Sequence, residues 1–208
     1  MKLITIIQAR QNSKRFPGKV LKKYKNITFL ELLIKRLKRS KSIKKIIVAT
    51  SKNILDQEIK KICKKLDIFC FQGSEQDVID RYYKVAKLFK AQNIIRITAD
   101  CPIIDPKVLD QVVNLFFTKK ADYATNTMPT TYPDGLDVEV FNFESLNKAW
   151  KVSRKIKKFR EHVTTHIREN KTLNRINLKY RKDYSFLRLT LDEPIDLNVI
   201  HNILKKFS

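Results

Sequence analysis

Short apolar runs alternate with amphipathic stretches along most of the chain. Leu3 to Ile7, Lys45 to Thr50, Ile68 to Phe71 and Ile94 to Thr98 are brief and rich in β-branched residues, as strands buried on both faces of a parallel sheet should be. Between them apolar residues recur at helical spacing. Thr28-Phe29-Leu30-Glu31 reads as a capping box opening a helix that runs to about Arg39. Leu55, Ile59, Ile62 and Leu66 share one face of the next helix. Ser74 and Asp77 start a third, in which Val78, Tyr82, Val85, Ala86 and Phe89 repeat, so its aromatic residues belong to the core. Asp105-Pro106 supplies a cap and an N1 proline for a fourth. Such alternation predicts βαβ units, hence an α/β fold on a mostly parallel sheet. Further on the pattern changes. Asp122 to Asn126 and Leu136 to Phe143 read as strands flanking a Pro-containing loop. Phe186 to Leu191 reads as a strand ending at Asp192, before Glu193-Pro194 opens the last helix.

The first strand leads into the most informative stretch, Ile6 to Leu21, IIQARQNSKRFPGKVL. There a buried strand becomes a loop that concentrates Arg10, Lys14, Arg15 and Lys19. Ligands of open α/β sheets sit beyond the carboxyl ends of the strands, where loop amides and fixed cations balance phosphate charge. These side chains suit a triphosphate, although Lys and Arg make up 44 of 208 residues and some clustering must arise by chance. The loop is not a Walker A motif, because Gly18-Lys19 is followed by Val20. Glycine occurs only at 18, 73 and 135, so no dinucleotide fingerprint can be drawn.

Composition narrows the class. A chain of 208 residues that is 43% hydrophobic suits one α/β domain with a proper core. No segment approaches the roughly 20 consecutive apolar residues of a membrane span, and no signal peptide is evident at the N-terminus, so a cytoplasmic protein without a membrane partner is expected. Cys63, Cys70 and Cys101 lack C-x-x-C spacing, which suggests neither a disulfide framework nor a zinc knuckle; Cys63 and Cys70 read as core. The formal charge of +23 raises a basic nucleic-acid-binding protein as an alternative of a different class. Many lysines, however, sit on outward helix faces, as in IKRLKRSKSIKK, and no nucleic-acid-binding signature accompanies them. No nucleic-acid partner is therefore expected. His162 and His166 lie four apart on an expected helix, but HVTTH lacks the internal Glu of H-E-x-x-H and no third ligand is apparent.

Six segments in order carry a family likeness. They are the first loop, GSEQDVIDRYY at 73–83, RITADCPIIDP at 96–106, YPDGLDVEVF at 132–141, REHVT at 160–164 and LRLTLDEPIDL at 187–197. Together they resemble, over nearly the whole chain, the cytidylyltransferases that activate sugars with CTP, most closely the spore-coat polysaccharide biosynthesis F-type group. One departure is Gln11-Asn12, where the family's loop usually carries Met-Gly before its serine. Asn12 is expected to substitute, since Asn tolerates φ > 0 better than most residues.

The resemblance implies a three-layer α/β/α nucleotidyltransferase (Rossmann-like) fold, a single domain over residues 1–208 with a small β insertion at about 120–170 for acceptor binding and dimerisation. It implies transfer of CMP from CTP to a sugar acid or related anionic sugar, releasing pyrophosphate, in surface polysaccharide or glycan precursor synthesis, by a homodimer. Gln8, Ala9, Arg10, Asn12, Ser13, Arg15 and Lys19 would bind the nucleotide together with Ser74, Asp77 and Arg81, the alternative for Ser74 and Asp77 being a helix cap alone. Arg10, Lys19 and Asp100 would be catalytic. A carboxylate just past a buried strand needs a partner, and Mg²⁺ on Asp100 and Asp192 is the cofactor this chemistry requires. Asp134, Gly135, Asp137, Glu139, Arg160, Glu161 and His162 would face the acceptor, although Asp137 and Glu139 also fit the polar face of a strand. An acceptor oxygen would attack the α-phosphorus in line, with no covalent intermediate. Another nucleoside triphosphate or a sugar phosphate acceptor remains open within this fold. A glycosyltransferase is disfavoured, because its D-x-D motif is missing at Asp100-Cys101-Pro102.

Overall fold

The computed structural model describes residues 2–207. β1 (Leu3–Gln8) is followed by a loop, a 3-10 turn at Lys19–Leu21 and a hairpin of β2 (Lys23–Tyr24) and β3 (Ile27–Thr28), which leads into α1 (Phe29–Leu37). The capping box forms as expected, with Thr28 Oγ1 accepting from the Glu31 amide and the Glu31 carboxylate accepting from the Thr28 amide. Then β4 (Ile46–Ser51), α2 (Gln57–Lys65), β5 (Phe69–Gly73), α3 (Val78–Leu88), β6 (Asn93–Thr98) and α4 (Pro106–Thr118) alternate, with Asp77 and Asp105 as N-caps. The remainder comprises β7 (Tyr123–Thr125), β8 (Glu139–Asn142), α5 (Phe143–Ser153), the short α6 (Lys158–Glu161) and α7 (Thr165–Glu169), β9 (Arg175–Asn177) and α8 (Pro194–Phe207).

The main sheet has the order β5-β4-β1-β6-β8-β7-β9, and β8 alone runs against its neighbours. Successive side chains of a strand face opposite ways, and both directions are apolar here. Ile7 packs with α1, α2 and α4, whereas Ile4 and Ile6 pack with α3 and α5. The result is the expected three-layer α/β/α, Rossmann-like architecture. A third, smaller cluster seats α8, through Ile200 and Leu204, against Phe16 of the first loop and Phe29 of α1.

Several expectations need correction. Residues 186–191 are not a strand. Their backbone meets loops, with the Leu189 amide donating to Asp134 O at 2.7 Å and the Leu191 amide to Asp100 O at 2.7 Å, leaving one isolated bridge, Asp134 with Arg188. The strand expected at 136–143 begins only at Glu139, because the Asn126 side chain takes the ladder's place: it donates to Leu136 O at 2.8 Å and accepts from the Val138 amide at 2.9 Å. Leu55 precedes α2 and is exposed. His162 and His166 do not share a helix, since His162 ends α6 and His166 lies in α7. Neither β9 nor the β2–β3 hairpin is announced by the sequence pattern.

Candidate active site at the carboxyl ends of β1 and β6

A cleft of about 380 Å³ opens over the centre of the sheet. β1 is flanked there by β4 on one side and β6 on the other, so the chain crosses over in opposite directions and leaves a crevice at the strand ends. Gln8 and Ala9 enter it from β1, and Thr98, Ala99 and Asp100 from the end of β6. Arg10, Ser13, Lys14, Arg15 and Lys19 come from the first loop, Val78 and Arg81 from α3, Glu161 and His162 from the end of α6, and Asp192 from the turn before α8. The structure thus brings together the basic loop, both expected metal ligands and one end of REHVT. Val78, Thr98 and Ala99 carried no chemical signal in the sequence.

The loop is tied down at its base. Asp56, which is 1% exposed, accepts from the Gln11 amide at 2.8 Å and from both the amide and the hydroxyl of Ser51 at the end of β4. Gln11 O in turn accepts from the amides of Ser13 and Gly18, each at 2.8 Å. The left-handed backbone falls at Gly18, with φ of 69°, and not at Asn12 as expected. The Asn12 side chain instead donates to Glu75 at 2.8 Å, where Asn53 also donates. Nothing local marks Asp56, and Glu75, although inside the GSEQDVIDRYY segment, has no role expected of it there.

Three cations of this loop meet carboxylates at the cleft. Lys19 Nζ lies 2.5 Å from Asp192 Oδ1 and 3.3 Å from Asp100 Oδ2. Arg15 meets Asp192 at 2.5 Å, and Arg10 meets Glu161 at 3.5 Å. Burial pushes the Asp100 carboxyl up, but the adjacent Lys19 and hydrogen bonds outweigh it and hold the group below its ordinary value.

Asp192 arrives beside Asp100 through backbone contacts. Asp100 O accepts from the Leu191 amide at 2.7 Å and from Thr190 Oγ1 at 3.1 Å. Gly135, with φ of 102°, allows the close approach, since a Cβ there would lie 2.5 Å from the carbonyl carbon of Leu189. Asp196 completes the turn by accepting from the amides of Asp192 and Glu193 and from the Arg188 guanidinium. Although burial opposes it, these bonds bring the Asp196 carboxyl down to about 2.

Two carboxylates converging on one ammonium form a donor set that accepts a cation. Among the described residues no three metal-ligating side chains cluster. The Asp100 and Asp192 pair has the donor chemistry of Mg²⁺, which binds through one or two carboxylates and completes its shell with waters and phosphate oxygens.

The other expected residues divide. Arg81 is 2% exposed, donates to Ala49 O at 3.2 Å and leaves its Nε without a partner. Gly73 makes room for it, as a Cβ there would lie 2.7 Å from Arg81 Cγ. Ser74 and Asp77 do not line the cleft. Ser74 Oγ accepts from the Asp77 amide, while Asp77 caps α3 and faces Arg160 at 3.7 Å. Glu139 does not reach the cleft either. It is 4% exposed, and its oxygens are taken by Arg96, by Tyr123 at 2.5 Å and by Thr164 at 2.6 Å. Asp134 pairs with Arg188 at 3.5 Å. Asp137 has no hydrogen bond or ion pair among the described residues, and burial, reinforced by Asp134, Glu139 and Asp100, pushes its carboxyl up to about 6.

The family model described as cytidylyltransferase matches residues 4–203. The chain belongs to the cytidylyltransferase family. This cytidylyltransferase is 32% identical over 213 residues to the spore coat polysaccharide biosynthesis protein SpsF of Bacillus subtilis, covering 98% of this chain and 87% of that protein. A 3-deoxy-manno-octulosonate cytidylyltransferase of Chlamydia trachomatis is 29% identical over 141 residues, covering 65% of this chain and 54% of that protein. The solved structure of a cytidylyltransferase from Leptospira borgpetersenii superposes with a TM-score of 0.95 at 33% identity, covering 100% of this chain and 88% of that one. The protein is accordingly a nucleotidyltransferase. Among the described residues of the cytidylyltransferase, no helix is long and apolar enough to cross a membrane.

Proposed function

We propose that this cytidylyltransferase transfers CMP from CTP to an anionic sugar acid, with release of pyrophosphate, in the synthesis of a surface polysaccharide precursor. The observation that carries the reading is the convergence of Arg10, Arg15 and Lys19 with Asp100 and Asp192 in a single cleft. Cations would balance the charge of the outer phosphates, and the two carboxylates would hold a metal. The similarity to a 3-deoxy-manno-octulosonate cytidylyltransferase supports the acceptor class, and that to SpsF supports the polysaccharide setting.

Arg10, Arg15 and Lys19 hold the two outer phosphates and balance the charge that grows on them as pyrophosphate departs. Asp100 and Asp192 would hold Mg²⁺, which when bound would supply charge neutralisation at the reacting phosphate. An acceptor hydroxyl oxygen forms the new bond to the α-phosphorus while the bond to the bridging oxygen of pyrophosphate breaks, and the hydroxyl proton passes to solvent. Arg81, buried with an unused donor, faces the nucleotide from α3. Positioning and electrostatics account for the rate, and no protein nucleophile takes part.

Thermal stabilisation by CTP, UTP, ATP and GTP, each with and without Mg²⁺, tests the nucleotide assignment, because a ligand that binds only the folded state raises the melting temperature. A shift selective for CTP and enhanced by Mg²⁺ is expected. Pyrophosphate release with a panel of sugar acids and sugar phosphates then tests the acceptor. Equal shifts with all four nucleotides would overturn the CTP reading, and release with sugar phosphates alone would overturn the sugar-acid reading.

A further inference from the structure

The two oxygens of Asp100 do different things. Oδ2 faces the cleft and lies 3.3 Å from Lys19 Nζ. Oδ1 is turned away, 3.7 Å from Sγ of Cys101, whose thiol donates to it. The same sulfur lies 3.3 Å from Thr98 Oγ1. Cys101 is 3% exposed, and the backbone locks it in place, with its amide donating to Thr98 O and its carbonyl accepting from the Ile104 amide, each at 3.2 Å. Pro102 follows with its φ fixed by the ring.

A buried small side chain between a threonine hydroxyl and a carboxylate does more than fill space. An alanine or valine there would remove this donor from Oδ1, leaving the Thr98 hydroxyl and the Asp100 amide as its neighbouring donors. The 3.7 Å contact places the Cys101 thiol as the donor to Oδ1. A thiol is also a weak donor, which orients the carboxylate while withdrawing little charge from the oxygen that faces a cation.

We infer that Cys101, with Thr98 behind it, is a positioning residue that fixes the Asp100 rotamer so that Oδ2 points at the cation site shared with Asp192. It touches neither substrate nor metal and acts through Asp100, as outer partners of metal ligands do. The inference rests on the proposed function of this cleft.

The test is Mn²⁺ binding followed by electron paramagnetic resonance in the presence of CTP and without acceptor, on the wild-type full chain and on Cys101→Ala, Cys101→Val and Cys101→Ser. Cys101→Val and Cys101→Ala should weaken Mn²⁺ binding about tenfold, the lower end of the effect of removing an outer-shell partner. Cys101→Ser keeps a donor and should stay within about twofold of wild type, a rescue that a packing role alone does not predict. Wild-type affinity in Cys101→Ala or Cys101→Val, or equal weakening in all three variants, would overturn the positioning role while leaving the functional reading intact. If one of the apolar variants fails to fold, the other against Cys101→Ser still decides. Absence of CTP-dependent Mn²⁺ binding in the wild type would overturn both.

Discussion

Lys19 and Asp192 meet in the cleft, with 2.5 Å between the ammonium and Oδ1. The pair joins the first loop to the turn before α8, and the same ammonium reaches Asp100 at 3.3 Å. In the free protein Lys19, proposed to hold phosphate, and the two carboxylates proposed to hold the metal therefore neutralise one another. Either ligand alone would break this pairing and leave one partner uncompensated in a largely buried place, which is unfavourable. Nucleotide and metal arriving together satisfy both.

CTP and Mg²⁺ should accordingly bind with strong mutual enhancement. The coupling expected is about 5- to 150-fold in affinity, the range of coupling free energies between linked sites. Calorimetric titration of CTP at saturating Mg²⁺ and in EDTA measures it, and equal affinities in the two conditions would contradict the exchange of partners.

Asp100→Asn and Asp192→Asn should each lower turnover by about two orders of magnitude or more, as removal of an electrostatic stabiliser does. Circular dichroism should show the fold unchanged. Near-normal turnover in Asp100→Asn would remove it from the metal site.

Gly135→Ala should damage both stability and activity. Its φ is 102°, and the added methyl would lie 2.5–2.6 Å from the backbone of Leu189 and Thr190. Strain of this kind costs about 2 kcal/mol or more, equivalent to a fall of at least about 4–8 °C in melting temperature for a domain of this size. Because the displaced segment carries Asp192, the KM for CTP should rise as well. Scanning calorimetry and initial rates check the two effects.

Asp196 has a folded-state pKa of about 2 against an ordinary 3.8, so its contribution is present above the unfolded value and is lost as pH falls through about 2. The shift corresponds to about 2 kcal/mol. Asp196→Asn should therefore lose about that much stability at pH 7 and progressively less than that difference toward pH 2. Urea denaturation of both proteins across this range gives the comparison; a constant difference would contradict the assignment.

Asp137 has the opposite sign. Its folded pKa of about 6 exceeds the ordinary 3.8, so holding it ionised disfavours the folded state at neutral pH, and stability is regained as pH falls through 6. In EDTA, Asp137→Asn should stabilise the protein by roughly 1–3 kcal/mol at pH 7.5 and should give almost nothing at pH 4. Lower turnover in the same variant would show that the carboxylate is retained for the reaction.

What the sequence determined by itself was whatever depends on neighbours along the chain. Alternating apolar runs specified a parallel sheet because strands buried on both faces must be apolar throughout. Thr28 with Glu31, and Asp105 with Pro106, marked helix starts because caps act over three residues. The basic loop after β1 and the six ordered motifs were equally legible. Tertiary structure decided which distant groups meet. The FLRLTL stretch has strand-like alternation, yet its amides bond to Asp134 and Asp100, since Gly135 lets that segment lie against a loop instead of a sheet edge. Glu139 alternates with apolar residues like a cleft carboxylate but is consumed by Arg96, Tyr123 and Thr164. Asp56, which shapes the loop, has no local signature, and Asp196, although inside LRLTLDEPIDL, shows its role in the turn only once the chain is folded. Register and the crossing of remote segments are set by packing of the whole core, so the pairing of Lys19 with Asp192, 173 residues apart, exists only once both faces of the sheet are covered.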